Sequence, residues 1–164
     1  MGQQQQAVLV LSLVVAGFAV MVAWTTFNEK AEDLTLKAIS FEAVRIAEAA
    51  LVWKAKPQPF GGGRGVVSLT GLRFEDIGYK STNEEGRASH TTTSFRNISL
   101  VASKRPYVTV RSKRHPDLRV QLFIYGPSVK CFQLRKEKIL DGMWMTADLK
   151  AYRDAVPTDC KPWW

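Results

Sequence analysis

Ala7 to Trp24 reads AVLVLSLVVAGFAVMVAW, 18 residues in which Ser12 is the one polar side chain. A helix on the surface of a soluble domain is not built this way. A helix on a globular surface has an apolar stripe and a polar face, whereas here Val, Leu and Ala cover every side. At helical rise the run spans about 27 Å, close to the ~30 Å hydrocarbon thickness of a bilayer. No charged side chain occurs from Met1 to Asn28. A cleaved signal peptide would carry Lys or Arg ahead of the run and a small-x-small site behind it. Four glutamines, Gln3 to Gln6, precede this one and Trp24-Thr25-Thr26-Phe27 follow. The expectation is a membrane-inserted helix, with Trp24 and Phe27 at the interface as an aromatic belt. Its short N-terminal side is expected in the cytoplasm and the larger C-terminal part across the membrane.

The helical pattern continues beyond the apolar run. No Gly or Pro occurs between Phe18 and Lys56. Leu36, Ile39, Ala43, Ile46, Ala50 and Trp53 recur at spacings of three and four, one stripe on a helix. Phe41, Val44, Ala47 and Leu51 widen it. Leu34, Ala38 and Phe41 reach past it, toward neighbouring molecules or toward the chain's own sheet. Pro57 and Pro59 stop the helix, and Gly61-Gly62-Gly63 forms a loop. A plain anchor has no need of such continuity, but helices that bundle side by side do.

Past that loop the signals are β and turn. Val66–Leu72, Phe95–Ala102, Tyr107–Arg111 and Arg119–Tyr125 read as strands, and Val129–Leu134 pairs with the last of these. His115-Pro116-Asp117 is a turn, Gly126-Pro127 closes a strand, and Tyr79–Thr93 reads as an exposed polar loop. The fold class expected is α+β, a long N-terminal α-helix packed against a C-terminal antiparallel sheet of about four strands. The organisation expected is a possible leader at 1–2, an apolar helix half at 3–28, an amphipathic half at 29–56 and a globular β domain at 57–164. Cys131 and Cys160, the two cysteines of the chain, form a disulfide if this domain is translocated.

The formal net charge is +8, and its distribution is uneven. Between residues 101 and 140 lie ten basic residues against Asp117 and Glu137, so this stretch accounts for the whole excess. Lys104, Arg105, Arg111, Lys113 and Arg114 are candidates for contact with a polyanion such as DNA. Tyr107, Phe123, Tyr125 and Phe132 are placed to stack on bases, or to pack in the core. A solvated basic face is the plainer account. No Gly-x-Ser-x-Gly, phosphate-cradling loop or His-Glu-x-x-His is present, and His90 and His115 lack the ligand spacing of a metal site. The chain is expected to be neither an enzyme nor a cofactor carrier.

These features together resemble the type IV pilin superfamily. The residues that carry the likeness are the charge-free start, the apolar-then-amphipathic helix, the glycine-rich connection into a sheet and the late cysteine pair. Gly2-Gln3-Gln4-Gln5 before the apolar run, with Phe60-Gly61-Gly62-Gly63 after the helix, looks like a subgroup of pilin-like proteins. The resemblance implies prepilin-peptidase cleavage after Gly2, with Gln3 as the new terminus. It also implies an inner-membrane assembly platform with a cytoplasmic ATPase. The end product it implies is a cell-surface homopolymer with Val8, Leu11, Val15, Phe18, Val22 and Trp24 in the filament core. Three departures stand out. The family's phenylalanine after the cleaved glycine and its glutamate at mature position five are replaced by Gln3 and Ala7, with the Gln3–Gln6 amides as substitute acceptors. The family's mid-helix proline is missing too, which leaves Gly17 as the expected site of any bend.

Overall fold

The computed structural model describes residues 2–81, 89–90, 92, 94–101, 106–140, 143–146 and 160. The chain divides into two compact units, Met1–Leu34 and Thr35–Trp164. One helix, α1, runs from Gly2 to Ala55.

In the first unit the side chains of α1 are exposed from Gln5 to Lys30. The few hydroxyls are satisfied by the helix itself. Ser12 donates to the Leu9 carbonyl, and Thr25 and Thr26 both donate to the Val22 carbonyl, each at 2.9 Å. Such back-bonding lets a hydroxyl enter a solvent that offers it no partner.

In the second unit the periodic stripe is the core-facing side. Ile39, Ala43, Ile46, Ala47, Ala50 and Trp53 are buried, with Leu36, Val44 and Leu51 packed at the margin. Opposite them is an antiparallel sheet of six strands in the order β1-β2-β3-β4-β5-β6. These are β1 (Ser89–His90), β2 (Phe95–Val101), β3 (Tyr107–Ser112), β4 (Leu118–Ile124), β5 (Phe132–Leu140) and β6 (Met143–Thr146). Alternation along β4 is strict: Leu118, Val120, Leu122 and Ile124 are buried among core residues and the residues between them are half-covered. The α+β class and the helix-on-sheet core are therefore as the sequence led us to expect.

Three expectations about the sheet need correction. Val66–Leu72 is not a strand. Gly65, Ser68 and Gly71 have φ of 90°, 55° and 86°, and left-handed residues spaced this closely coil the chain into successive turns. Leu69, Leu72 and Phe74 still enter the core, but from turns. Strand pairing does not begin at Val129 either. Ser128 accepts from the backbone N–H groups of Lys130 and Cys131, winding Val129–Cys131 into a 3-10 turn, and β5 starts at Phe132. Finally, the described residues form a sheet of six strands rather than about four. β5 extends through the charged Arg135–Lys138 segment to pair with β6, and β1 lies within the stretch read as an exposed loop.

The glycine loop closes the end of α1. The Trp53 carbonyl accepts from Gly63 N–H at 2.9 Å, and the Lys56 carbonyl accepts from Arg64 N–H at 3.1 Å. Lys54 donates from Nζ to the carbonyls of Gly63 and Val66. The Trp53 carbonyl, one of those a helix end leaves orphaned, is thus met by a segment ten residues downstream. Partial burial holds the Lys54 pKa below its ordinary value.

Candidate functional site

Two features of the chain are candidates for function, the apolar part of α1 and the basic sheet with the groove beside it.

The most apolar window of α1 has no residue buried within the chain, and the helix is long and apolar enough to cross a membrane. Val8, Leu11, Val15, Phe18, Val22 and Trp24 are all exposed. α1 runs without interruption through Gly17, and a Cβ added there would meet nothing within 4 Å. Gly2 and Gln3 lie in the first turn of the same helix. Beyond this unit, Phe41 and Val52 of α1 are 73% and 70% exposed. Phe41 therefore does not pack on the chain's own core.

Of the candidate basic residues, the three described ones lie in two places, the β3–β4 turn and the outer face of β3. Lys104 and Arg105 lie outside the described residues. Lys113 and Arg114 are exposed in the β3–β4 turn, where Lys113 donates from Nζ to the Thr92 carbonyl. Arg111 points to the sheet face away from α1, directly across from Arg119 on β4. Like charges so placed repel, and the repulsion is relieved by a residue that sequence reading did not single out. Glu137, on β5 opposite Arg119, is 2% exposed and pairs with Arg119 and with Arg135, the latter at 2.9 Å. The clue was the lone acidic residue within the Arg135–Lys138 run, and only the strand register reveals its partners.

The aromatics divide by the same register. Tyr107, Phe123 and Tyr125 share the outer face, with centroids 5.5 Å and 6.2 Å apart in sequence along the row. Phe132 faces the core instead, packed against its margin. Cys131 and Cys160 are bonded, with Cα atoms 5.6 Å apart, as the spacing and compartment argument anticipated.

Between α1 and β5 lies a groove of about 340 Å³ lined by Lys37, Ser40, Phe41, Val44, Leu134 and Lys136. Its lining is apolar but for one hydroxyl and two ammonium groups, with no carboxylate. A buried carboxylate also sits on α1: Glu42 pairs with Arg45 at 3.1 Å, and Arg45 donates to the Tyr79 hydroxyl at 3.1 Å and lies over its ring. The Tyr79 hydroxyl, and after it Glu42, hold the Arg45 pKa above its ordinary value. Among the described residues no cluster of His, Cys, Asp or Glu is arranged to hold a metal.

Comparison with protein-family models, curated proteins and solved structures found no match to the chain.

Proposed function

We propose that this chain is the structural subunit of an extracellular filament of the type IV pilus kind, held in the inner membrane before assembly and polymerising through α1. The observation that carries the reading is α1 itself: a helix apolar on all sides over Ala7–Trp24, with exposed Phe41 and Val52 on its later turns. A bilayer can cover the first region, but Phe41 and Val52 lie in the unit that contains the sheet and need a protein neighbour if they are to be covered. Moving an apolar helix from lipid into a bundle of like helices exchanges one apolar surrounding for another. Prepilin peptidase and an assembly platform are the partners this reading requires. Shearing fibres from producing cells, then mass spectrometry and cryo-electron microscopy of them, tests it. Fibres built of this chain are expected, with Gln3 as the first residue. A chain that stays with the inner membrane as a monomer, absent from any fibre, overturns it in favour of a membrane-anchored accessory such as a minor pilin or secretion pseudopilin.

A further inference from the structure

We propose that the groove between α1 and β5 is the seat for a second copy of this chain, entered by the side of the neighbour's α1 that carries Val22, Thr26, Glu29 and Asp33. The proposal rests on the filament reading and names the contact within it. The groove has an apolar floor of Phe41, Val44 and Leu134, with Lys37 and Lys136 among its lining residues. Its occupant should be an elongated surface with small apolar groups and carboxylates in line. The chain's own α1 offers such a surface. Val22, Thr26, Glu29 and Asp33 follow one another at spacings of four, three and four, which places them on one side of a helix. From Phe27 to Leu34 the helix carries Glu29, Glu32 and Asp33 against Lys30, a net charge of −2, the one stretch with charged side chains in the unit Met1–Leu34.

The complementarity is one of net charge. Lys37, Glu32 and Asp33 already have partners within the monomer, so docking would redistribute existing interactions around Lys136 and Glu29, both of them exposed. The two surfaces of the contact differ, so it is heterologous. Each copy that fills a neighbour's groove presents its own groove to the next, and such contacts propagate as an open array unless the rotation closes a ring. A groove of the same charge would also accept a strand of nucleic acid, but an apolar floor suits a helix with a methyl-bearing side better than a hydrated phosphate backbone.

Charge reversal tests the contact in full-length protein expressed in producing cells. Lys136→Glu and Glu29→Lys, each alone, are expected to cut the yield of sheared fibres at least tenfold while leaving the amount of membrane-held chain unchanged. Combined, they are expected to restore fibres to within about threefold of wild type. In parallel, carbodiimide treatment of wild-type fibres and membranes should produce an isopeptide between Lys136 of one copy and Glu29 or Asp33 of another, identified from mixed isotopically labelled chains. Wild-type fibres with no such link, or a double variant no better than the singles, overturn the groove contact and leave the filament reading standing. Links in membranes without any fibres overturn the filament reading and leave the contact standing. Loss of DNA binding by Lys136→Glu without a Lys136 link overturns the contact in favour of a polyanion groove.

Discussion

A Cβ built on Gly63 falls 2.2 Å from Cζ3 of Trp53. The glycine loop lies flat against the indole that ends the core stripe of α1, and the same loop caps the helix. Neighbouring glycines are required for different reasons. A Cβ on Gly62 falls 2.1 Å from the Lys56 carbonyl oxygen, while one on Gly61 meets nothing within 4 Å but sits at φ 75°. Gly62→Ala should therefore be the most damaging, because backbone must move, and Gly63→Ala next, each at about 2–3 kcal/mol of overpacking strain. Gly61→Ala should cost only the left-handed penalty, ~1 kcal/mol. Thermal unfolding of the full chain in non-ionic detergent, followed by circular dichroism, checks the order.

Glu137 is the counter-charge for two arginines from adjacent strands. Glu137→Gln removes the carboxylate that Arg119 and Arg135 share. Both arginines keep some solvent contact, with side chains 18% and 28% exposed. The expected loss is accordingly about 2 kcal/mol rather than the larger value of a fully buried pair. Denaturant midpoints of the two proteins measure it.

Ile46 is buried and Phe41 exposed on the same helix, and the two should respond differently. Ile46 is fully buried, and Ile46→Ala should remove about 2–4 kcal/mol through lost burial and a cavity. Phe41→Ala should change monomer stability by no more than ~0.5 kcal/mol. If the helix side bearing Phe41 meets a neighbour, Phe41→Ala should nevertheless reduce fibre yield. Melting curves and fibre yields of both variants separate the two roles.

Cys131 and Cys160 close a loop with a sequence separation of 29. Cys160→Ser should lower stability by about 3.6 kcal/mol on the chain-entropy estimate. Reductant should shift the melting temperature of the wild type and leave that of the variant unchanged.

Lys54 is held below its ordinary pKa by partial burial. The unfolded chain therefore binds this proton more tightly than the folded chain. Stability contributed at this site rises as pH climbs from the folded value toward the ordinary lysine value, and the burial penalty is fully present below that window. Wild type should gain stability relative to Lys54→Met as pH rises through the alkaline range toward the ordinary lysine value. Paired melts across that range read the difference, and a difference that narrows with pH refutes it.

The helix was legible because its signals are local. A period of 3.6 from Leu36 to Trp53 and a stop at Pro57 need no knowledge of the rest of the chain. Strands β3 and β4 were legible for a similar reason, since Val108, Val110 and Leu118 to Ile124 alternate. The turns over Val66–Leu72 were not, because Ser68 carries a left-handed backbone that serine seldom adopts. Its apolar residues, set among turns, mimic a strand. Strand β5 was foreseen only in part, because its second half is written in charges and lies in the sheet through its ladder with β4 and β6. The groove was invisible for a further reason. Val44 and Leu134 become neighbours only once register and helix packing are known, and no spacing in the sequence joins them.

The strand order also has a consequence for how the molecule comes into being. Each strand pairs with the one made just before it, so no strand waits for a distant partner to be synthesised. Such a sheet can lengthen hairpin by hairpin as the chain emerges from a ribosome, with short loops to close and few competing pairings. Only the joining of Cys131 to Cys160, and the seating of α1, made first, on the completed sheet, reach across long stretches of chain. An order of assembly with few unpaired edges at any moment leaves a folding chain fewer chances to pair with another copy of itself.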